Sequence, residues 1–373
     1  MTSTDVLIVG GGIAGASLGA ELAVYRRVTI AEAEDQPGYH ATGRSAAFWH
    51  EGYGGPQVAP LTRASRVFLE QPPSSFAEQG FLTPRGAIHI ARADESFEIV
   101  PGVAVEPLDR AELEERLPGL RPEWVQGLKE DGLADIDVAR LHAAYLAQVR
   151  RHGGEVRTRA RLHRAERRDG TWHVRFEDGA EMRAALLVDA AGAWADDVAK
   201  LAGVRPIGIE PKRRTMVQLR VGRTGLARLP LVVGADGSFY FKGEGDQSLW
   251  LSPHDEIACT ACDAAPEELD IAVAIDRFSK VVDWPVERVE RSWAGLRSFA
   301  PDRLPVIGFD ADQQGFFWCA GQGGFGIQTA PAAAKLGAAL ILGREPRAEL
   351  AGVEPRRYDP ARIAVRRSAQ AAF

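Results

Sequence analysis

Cysteine is scarce: Cys259, Cys262 and Cys319 are the only three among 373 residues. A small odd count argues against a disulfide framework. Cys259 and Cys262 form a single C-x-x-C, and a zinc site would need a second ligand pair where only His254 stands nearby. The pair is therefore expected to be incidental surface thiols, and no metal site is expected. Basic residues are not in excess either. The net charge of -6 excludes a global nucleic-acid footprint. No apolar run is long enough to span a bilayer, which excludes an integral membrane segment. The opening residues MTSTDVLIVGGG carry no positive stretch ahead of their apolar run, so a cytoplasmic chain without a secretory signal is expected, with peripheral attachment to a membrane left open. Repeats and low-complexity tracts are lacking too, apart from an Ala/Arg-rich tail from Ala361 onward, which is expected to fray.

What is present suits a soluble enzyme: 45% hydrophobic and 26% charged residues, over a length that suggests two domains or one large α/β domain with an insertion. The apolar run Val6 to Val9 reads as a buried parallel strand. It leads into Gly10-x-Gly12-x-x-Gly15, with Ile13 and Ala14 opening a helix of small residues, and a second strand then delivers Glu32. Strand, glycine turn, helix, strand and an acidic residue about 20 positions on make up the dinucleotide-binding fingerprint. Gly10 permits the tight turn, Gly12 lets the backbone approach a pyrophosphate, and Gly15 lets the helix pack on the sheet. The helix N-terminus stabilises negative charge and Glu32 accepts from ribose hydroxyls. The fingerprint alone does not separate FAD from NAD.

Further along, LDRAELEERLPGL reads as a short helix capped by Asp109, and a longer helix opens after Asp137 and closes at Gly153-Gly154. The segment AALLVDAAGAWADDVAKLAG repeats the strand-to-glycine-to-helix junction. Residues 207 to 294 are richer in strand patterns. The end reverts to α/β, with a glycine loop GQGGFGIQ and a helix from about Thr329 to Leu342 whose first turn suits Pro331. The expected class is α/β: a discontinuous Rossmann-like nucleotide domain over residues 1–80, 131–206 and 295–373, and a β-rich α+β substrate domain over 81–130 and 207–294.

The fingerprint, GYHATGRSAA, DAAGAWADDVAKLAGV, PKRR, SWAGLRSFAPDRLPVIG and GQGGFGIQTAP together resemble the D-amino acid oxidase superfamily of FAD-dependent oxidoreductases across nearly the whole length. Bacterial dehydrogenases of D-arginine are the nearest likeness within it. The resemblance implies FAD, held by Gly10, Gly12, Ile13, Ala14, Gly15 and Glu32. It adds Thr42, Arg44, Ser45 and Ala46 along the pyrophosphate and flavin edge, and Ala191, Gly192 and Trp194 near the adenosine. Gly323, Gly324, Gly326, Ile327, Gln328 and Thr329 would lie beside the isoalloxazine. Relatives with covalent flavin use a cysteine near the substrate arginine; RSFAPDRLP has none, so non-covalent FAD is expected.

For the substrate, the resemblance implies Arg297 as the fork for a carboxylate, with Arg214 as a second, and Tyr240 and Tyr53 as pocket tyrosines. A guanidinium suits this because its fork matches a carboxylate bidentately. His50 is a candidate for aiding deprotonation or orienting a water, and Gln328 for bordering substrate and flavin together. Phe48, Trp49, Ala87 and Gly295 are expected to line the pocket. Arginine-oxidising relatives carry carboxylates where this chain has Ala87 and Gly237, and a histidine where it has Phe48. A neutral or apolar D-amino acid is therefore expected in preference to D-arginine. A secondary amine, an N-methyl amino acid or a 2-hydroxy acid would fit the same carboxylate fork. A flavin-binding protein without catalysis and an NAD(P)-dependent enzyme are the other readings. Quinone and oxygen as electron acceptors are not discriminated.

Overall fold

The computed structural model describes residues 2–363; most of the Ala/Arg-rich tail lies outside them. The apolar run at the N-terminus forms the strand Thr2–Val9, and its alternation sends Val6 and Ile8 to one buried face and Leu7 and Val9 to the other. A strand buried on both sides needs cover on both sides. Helices Ile13–Ala23, Val138–Arg151 and Gly326–Ile341 supply it on one face. On the other face lie Trp172, Trp318, Val198 and their neighbours. Thr2–Val9 pairs in parallel with Val28–Ala31 and with Glu181–Asp189, so that Ala31 and Asp189 both stand beside Val9 where the strand gives way to the glycine turn. This eight-stranded sheet is completed by Phe316–Ala320 and its antiparallel partner, by Glu155–Arg157, and by two meander strands.

A second sheet, of ten strands, is mostly antiparallel and holds the β-rich part. Its spine is the long pair Glu210–Val221 and Val286–Phe299, in which Arg214 faces Gly295 and Lys212 faces Arg297. Helix Glu268–Ser279 closes a core of Phe241, Leu249, Phe278 and Trp284 against it. A three-stranded sheet of Phe48–Trp49, Ala134–Ile136 and Leu82–Pro84 stands apart from both.

The expected α/β class with a β-rich partner holds, and the helices after Asp109 and Asp137 begin where those side chains accept from Glu112 and Arg140 amides. Two expectations change. The strand Val286–Phe299 crosses the expected boundary at residue 295, so Arg297 belongs to the second sheet. The last helix begins at Gly326 rather than Thr329, which puts Pro331 inside it instead of in its first turn. The next amide, Ala332, is held by Ser65 Oγ at 3.1 Å.

Candidate active site

One elongated cleft, with about 1870 Å³ of empty space including its open mouth, runs from the glycine turn to the spine of the second sheet. At its nucleotide end Gly10 adopts φ +107°, and a Cβ there would stand 2.4 Å from the Ala190 carbonyl oxygen. A Cβ on Gly15 would meet the Gly10 carbonyl oxygen at 2.0 Å. These contacts force glycine at both positions. Gly12 brings no side chain to the start of helix Ile13–Ala23, whose first turn has no acidic residue; Thr42 Oγ1 accepts from the Ile13 amide at 2.9 Å, and Gly12, Ile13 and Ala14 line the cleft. A helix N-terminus facing a cavity with no negative charge of its own fits a pyrophosphate. Glu32 is buried; its Oε2 accepts from the Gly11 amide at 2.8 Å and its Oε1 from the Glu34 amide at 2.9 Å. Each oxygen keeps a lone pair for a ribose hydroxyl. His142, which no sequence pattern signalled, supports the turn from below through Nε2 and the Gly11 carbonyl, 2.8 Å apart.

Thr42, Arg44, Ser45, Ala46, Ala191, Gly192 and Trp194 line the middle of the cleft, and Gly323, Gly324, Gly326 and Ile327 its inner wall. Arg44 donates to Asp263, Ala264 O and Ala294 O, so its guanidinium ties the turn to the second sheet. Two expected placements need correction. Thr329 is fully buried, with Oγ1 donating to Phe325 O inside its own helix. Gln328 is buried too: its Oε1 accepts from the His50 amide at 3.0 Å, and its Nε2 donates to Tyr53 O and Thr62 Oγ1. It therefore clasps the segment 50–53 rather than bordering substrate and flavin.

At the far end of the cleft stand Arg214, Met216, Tyr240, Gly295 and Arg297. Arg297 donates through Nη1 to Tyr53 Oη at 2.6 Å. Arg214 is only 4% exposed; its Nε donates to Asp255 O at 2.6 Å, whereas Nη1 and Nη2 have no hydrogen-bond partner among the described residues. The Asp255 and Glu256 carboxylates lie 3.6 Å away, too far for hydrogen bonds. Gly295 leaves room for Arg44, whose Cβ would stand 3.2 Å from a Cβ at that position. Tyr240 donates to Met216 Sδ and packs edge-on against Phe48 and His254. Burial, then the cations Arg214 and Arg297, hold the His254 imidazole down to about 3, so it is neutral.

Ala87 and Phe48 belong to the apolar cluster around Tyr240 and Met216, with Ala46, Leu133 and Leu231. Trp49 does not. It is buried on the opposite side, in the core under the helices, with Nε1 donating to Thr62 O and Arg66 over its ring. Successive residues of a strand point to opposite faces, so Phe48 and Trp49 cannot share a pocket. His50 meets neighbours the sequence did not signal. Its Nε2 lies 3.0 Å from Glu130 Oε2, the same oxygen that His89 Nε2 approaches at 3.0 Å. The expectation of no metal site had not considered this trio, because its members sit on separate strands and turns.

The sequence model of the DAO family, described as FAD dependent oxidoreductase, matches residues 5–340. Among curated proteins the chain is similar to the mitochondrial dimethylglycine dehydrogenase of Mus musculus, 26% identical over 95% of this chain and 44% of that protein. It is also similar to the glycine oxidase of Pseudomonas aeruginosa, 26% identical over 96% of this chain and 99% of that one. It thus spans less than half the length of the mammalian dehydrogenases it matches. Among solved structures, L-proline dehydrogenase from P. horikoshii superposes with a TM-score of 0.80 at 20% identity, covering 97% of this chain and 98% of that one. Glycine oxidase from Geobacillus kaustophilus gives 0.79 at 21% identity, covering 95% and 98%.

Proposed function

Since the chain belongs to the DAO family of FAD-dependent oxidoreductases, we propose that it oxidises a D-amino acid with a neutral or apolar side chain to the imino acid, which hydrolyses to a 2-oxo acid and ammonia. The carrying observation is Arg214: a buried guanidinium that lines the cleft with Arg297 and whose two terminal nitrogens have no hydrogen-bond partner among the described residues, with Glu256 3.6 Å from Nη2. A buried donor set without acceptors costs free energy that an incoming carboxylate restores. Bound FAD supplies the acceptor for the hydride that leaves Cα. The glycine turn, the helix N-terminus behind it and Glu32 would hold its nucleotide half, and Gly323 to Ile327 would face its ring.

Arg214 and Arg297 fix the carboxylate, and with it the direction of the Cα–H bond; such orientation is the larger part of what a protein adds to cofactor chemistry. Tyr53 sets Arg297 through its hydroxyl. The substrate amine enters neutral, so no dedicated base is required. Beside Arg214 and Arg297 the cleft is lined by Ala46, Met216 and Tyr240 of the apolar cluster, none of them a carboxylate. A cationic side chain placed there would lose several kcal/mol of solvation without a partner.

Names among the relatives, from glycine oxidase to dimethylglycine dehydrogenase, keep secondary and N-methyl amines as the second reading. The test is anaerobic mixing of the yellow protein with D-amino acids, L-amino acids, N-methyl amino acids and 2-hydroxy acids, following loss of oxidised-flavin absorbance. Fast bleaching by D-leucine, D-phenylalanine or D-methionine, with D-arginine slow, supports the proposal. Bleaching only by N-methyl amino acids or hydroxy acids retains the cofactor and overturns the substrate class.

A further inference from the structure

Glu130 is 2% exposed and sits at the end of the strand Gln126–Glu130, paired with Ala87 at the edge of the apolar cluster. A carboxylate so buried needs compensation, and two imidazoles give it: His50 Nε2 and His89 Nε2, each 3.0 Å from Oε2. Although burial alone would raise it, hydrogen bonds from both histidines bring the Glu130 carboxyl down to about 2, so it is ionised.

His50 carries the contact onward. Its ring stacks on Tyr53, with centroids 6.4 Å apart and planes 16° from parallel. Tyr53 Oη receives the Arg297 Nη1 hydrogen bond at 2.6 Å, and Arg297 lies over the Tyr53 ring at 5.7 Å. Between His50 and Tyr53 the chain is short and its amides are held at two points, by Gln328 on the His50 amide and by His50 O on the Tyr53 amide. Gly54 and Gly55 follow at φ +96° and +79°. The ring positions, and hence the angle of the Arg297 fork, depend on where His50 is anchored. That anchor is the second sheet, through Glu130.

We propose that Glu130 is a positioning residue for the carboxylate fork: it anchors His50, with His89 as its second partner, so that Tyr53 stays against Arg297. The chain of contacts runs from a buried charge through two rings to a guanidinium, and no member before Arg297 needs to touch substrate. This rests on the reading of Arg214 and Arg297 as the carboxylate site.

The test is a double-mutant cycle on the holoenzyme, with binding of isovalerate and benzoate, two carboxylates that cannot be oxidised, read from the change in the flavin spectrum. Glu130→Gln should weaken binding by roughly tenfold, the scale of one lost charge-assisted hydrogen bond. Arg297→Lys should weaken it by more. In the double variant the effects should not multiply: with Arg297→Lys already present, Glu130→Gln should cost less than threefold, because it acts through the guanidinium that is gone. A residue that merely stabilises the fold would multiply its effect in both backgrounds, and that result overturns the proposal. So does a Glu130→Gln enzyme that binds both carboxylates as the parent does. His50→Gln, a change at a half-buried site, gives the same cycle if Glu130→Gln does not fold. If the parent protein binds neither carboxylate, the reading of the arginine site falls and this inference with it. If the parent binds them and the cycle is multiplicative, only the inference falls.

Discussion

Arg214 shows what a single side chain reveals when its partners are counted. Its Nε is satisfied and its two terminal nitrogens are not, in a position with almost no solvent. Replacing it by Lys keeps the charge but loses the planar fork, and we expect flavin reduction by the preferred amino acid to fall about 100-fold in kcat/KM, or about 2.7 kcal/mol. A loss under fivefold, measured by stopped-flow absorbance, would place the carboxylate elsewhere. His254, one ring from Tyr240, gives a pH effect whose sign is fixed. Its folded pKa, about 3, lies below the ordinary 6.5, so the unfolded chain binds more protons in between. Stability from this group is present above about 6.5 and is lost as pH falls toward 3, by up to about 1.4 kcal/mol per pH unit. His254→Gln should shrink the drop in urea midpoint between pH 7 and pH 4; an unchanged drop would show that His254 is not held neutral. At this scale the sequence was legible where a residue sits in a motif: Arg297 and Tyr240 line the cleft, and Tyr53 is hydrogen-bonded to Arg297. It was not legible for Glu130 and His89, whose meeting with His50 depends on strand pairing.

Elements explain which of the expected cofactor residues line the cleft and which lie in the core. The strand–turn–helix at the N-terminus is encoded locally, by glycines that backbone contacts leave no choice about. Gly15→Ala would push a methyl into Gly10 O, at 2.0 Å without movement. We expect a loss of roughly 2–3 kcal/mol in stability, together with a fall in bound flavin per protein in the absorbance spectrum; a variant with full flavin content would show that the helix shifts freely. The C-terminal helix was misread for the opposite reason. Its start depends on the turn at Gly323 and Gly324 and comes three residues before the expected one; of the residues the resemblance put beside the isoalloxazine, Gly326 and Ile327 line the cleft while Gln328 and Thr329 are buried in the helix. Trp49 failed on the simplest periodicity of all, since a two-residue strand still alternates its faces.

On the scale of the whole molecule, the cleft that the two large sheets share is where FAD would bind, and a ligand of the folded chain alone stabilises that chain. Removing it should therefore lower the melting temperature, and adding it back should raise stability by about 2.7 kcal/mol at a concentration one hundred times its Kd. Calorimetry of stripped and reloaded protein measures this; a melting temperature indifferent to FAD would contradict the placement. Acid precipitation should release all the yellow colour. Cys319, on the strand leading to the glycine loop, is buried, and burial pushes its thiol up to about 12, leaving it a poor nucleophile toward a flavin. Fold class was legible at this scale because alternation of strand and helix patterns needs no long-range information. The boundary at residue 295 was not, because a 14-residue strand reads the same on both sides of a domain limit.

The pairing of Glu210–Val221 with Val286–Phe299 carries a consequence for how this chain can change over evolutionary time. Arg214 faces Gly295 and Arg297 faces Lys212 in an unbroken register, whereas both irregularities of the pair fall beyond Gln218. A residue inserted near those irregularities can be absorbed as another bulge. The same insertion between Arg214 and Gln218, or between Arg291 and Arg297, would turn one guanidinium to the opposite face of the sheet and leave the fold standing. Tolerance to insertions and deletions should therefore be graded along this one ribbon, from permissive at the bulged end to forbidding at the arginines. A library of single-residue insertions, scored separately for soluble yield and for flavin reduction, would trace that gradient as the point along each strand where the two scores part.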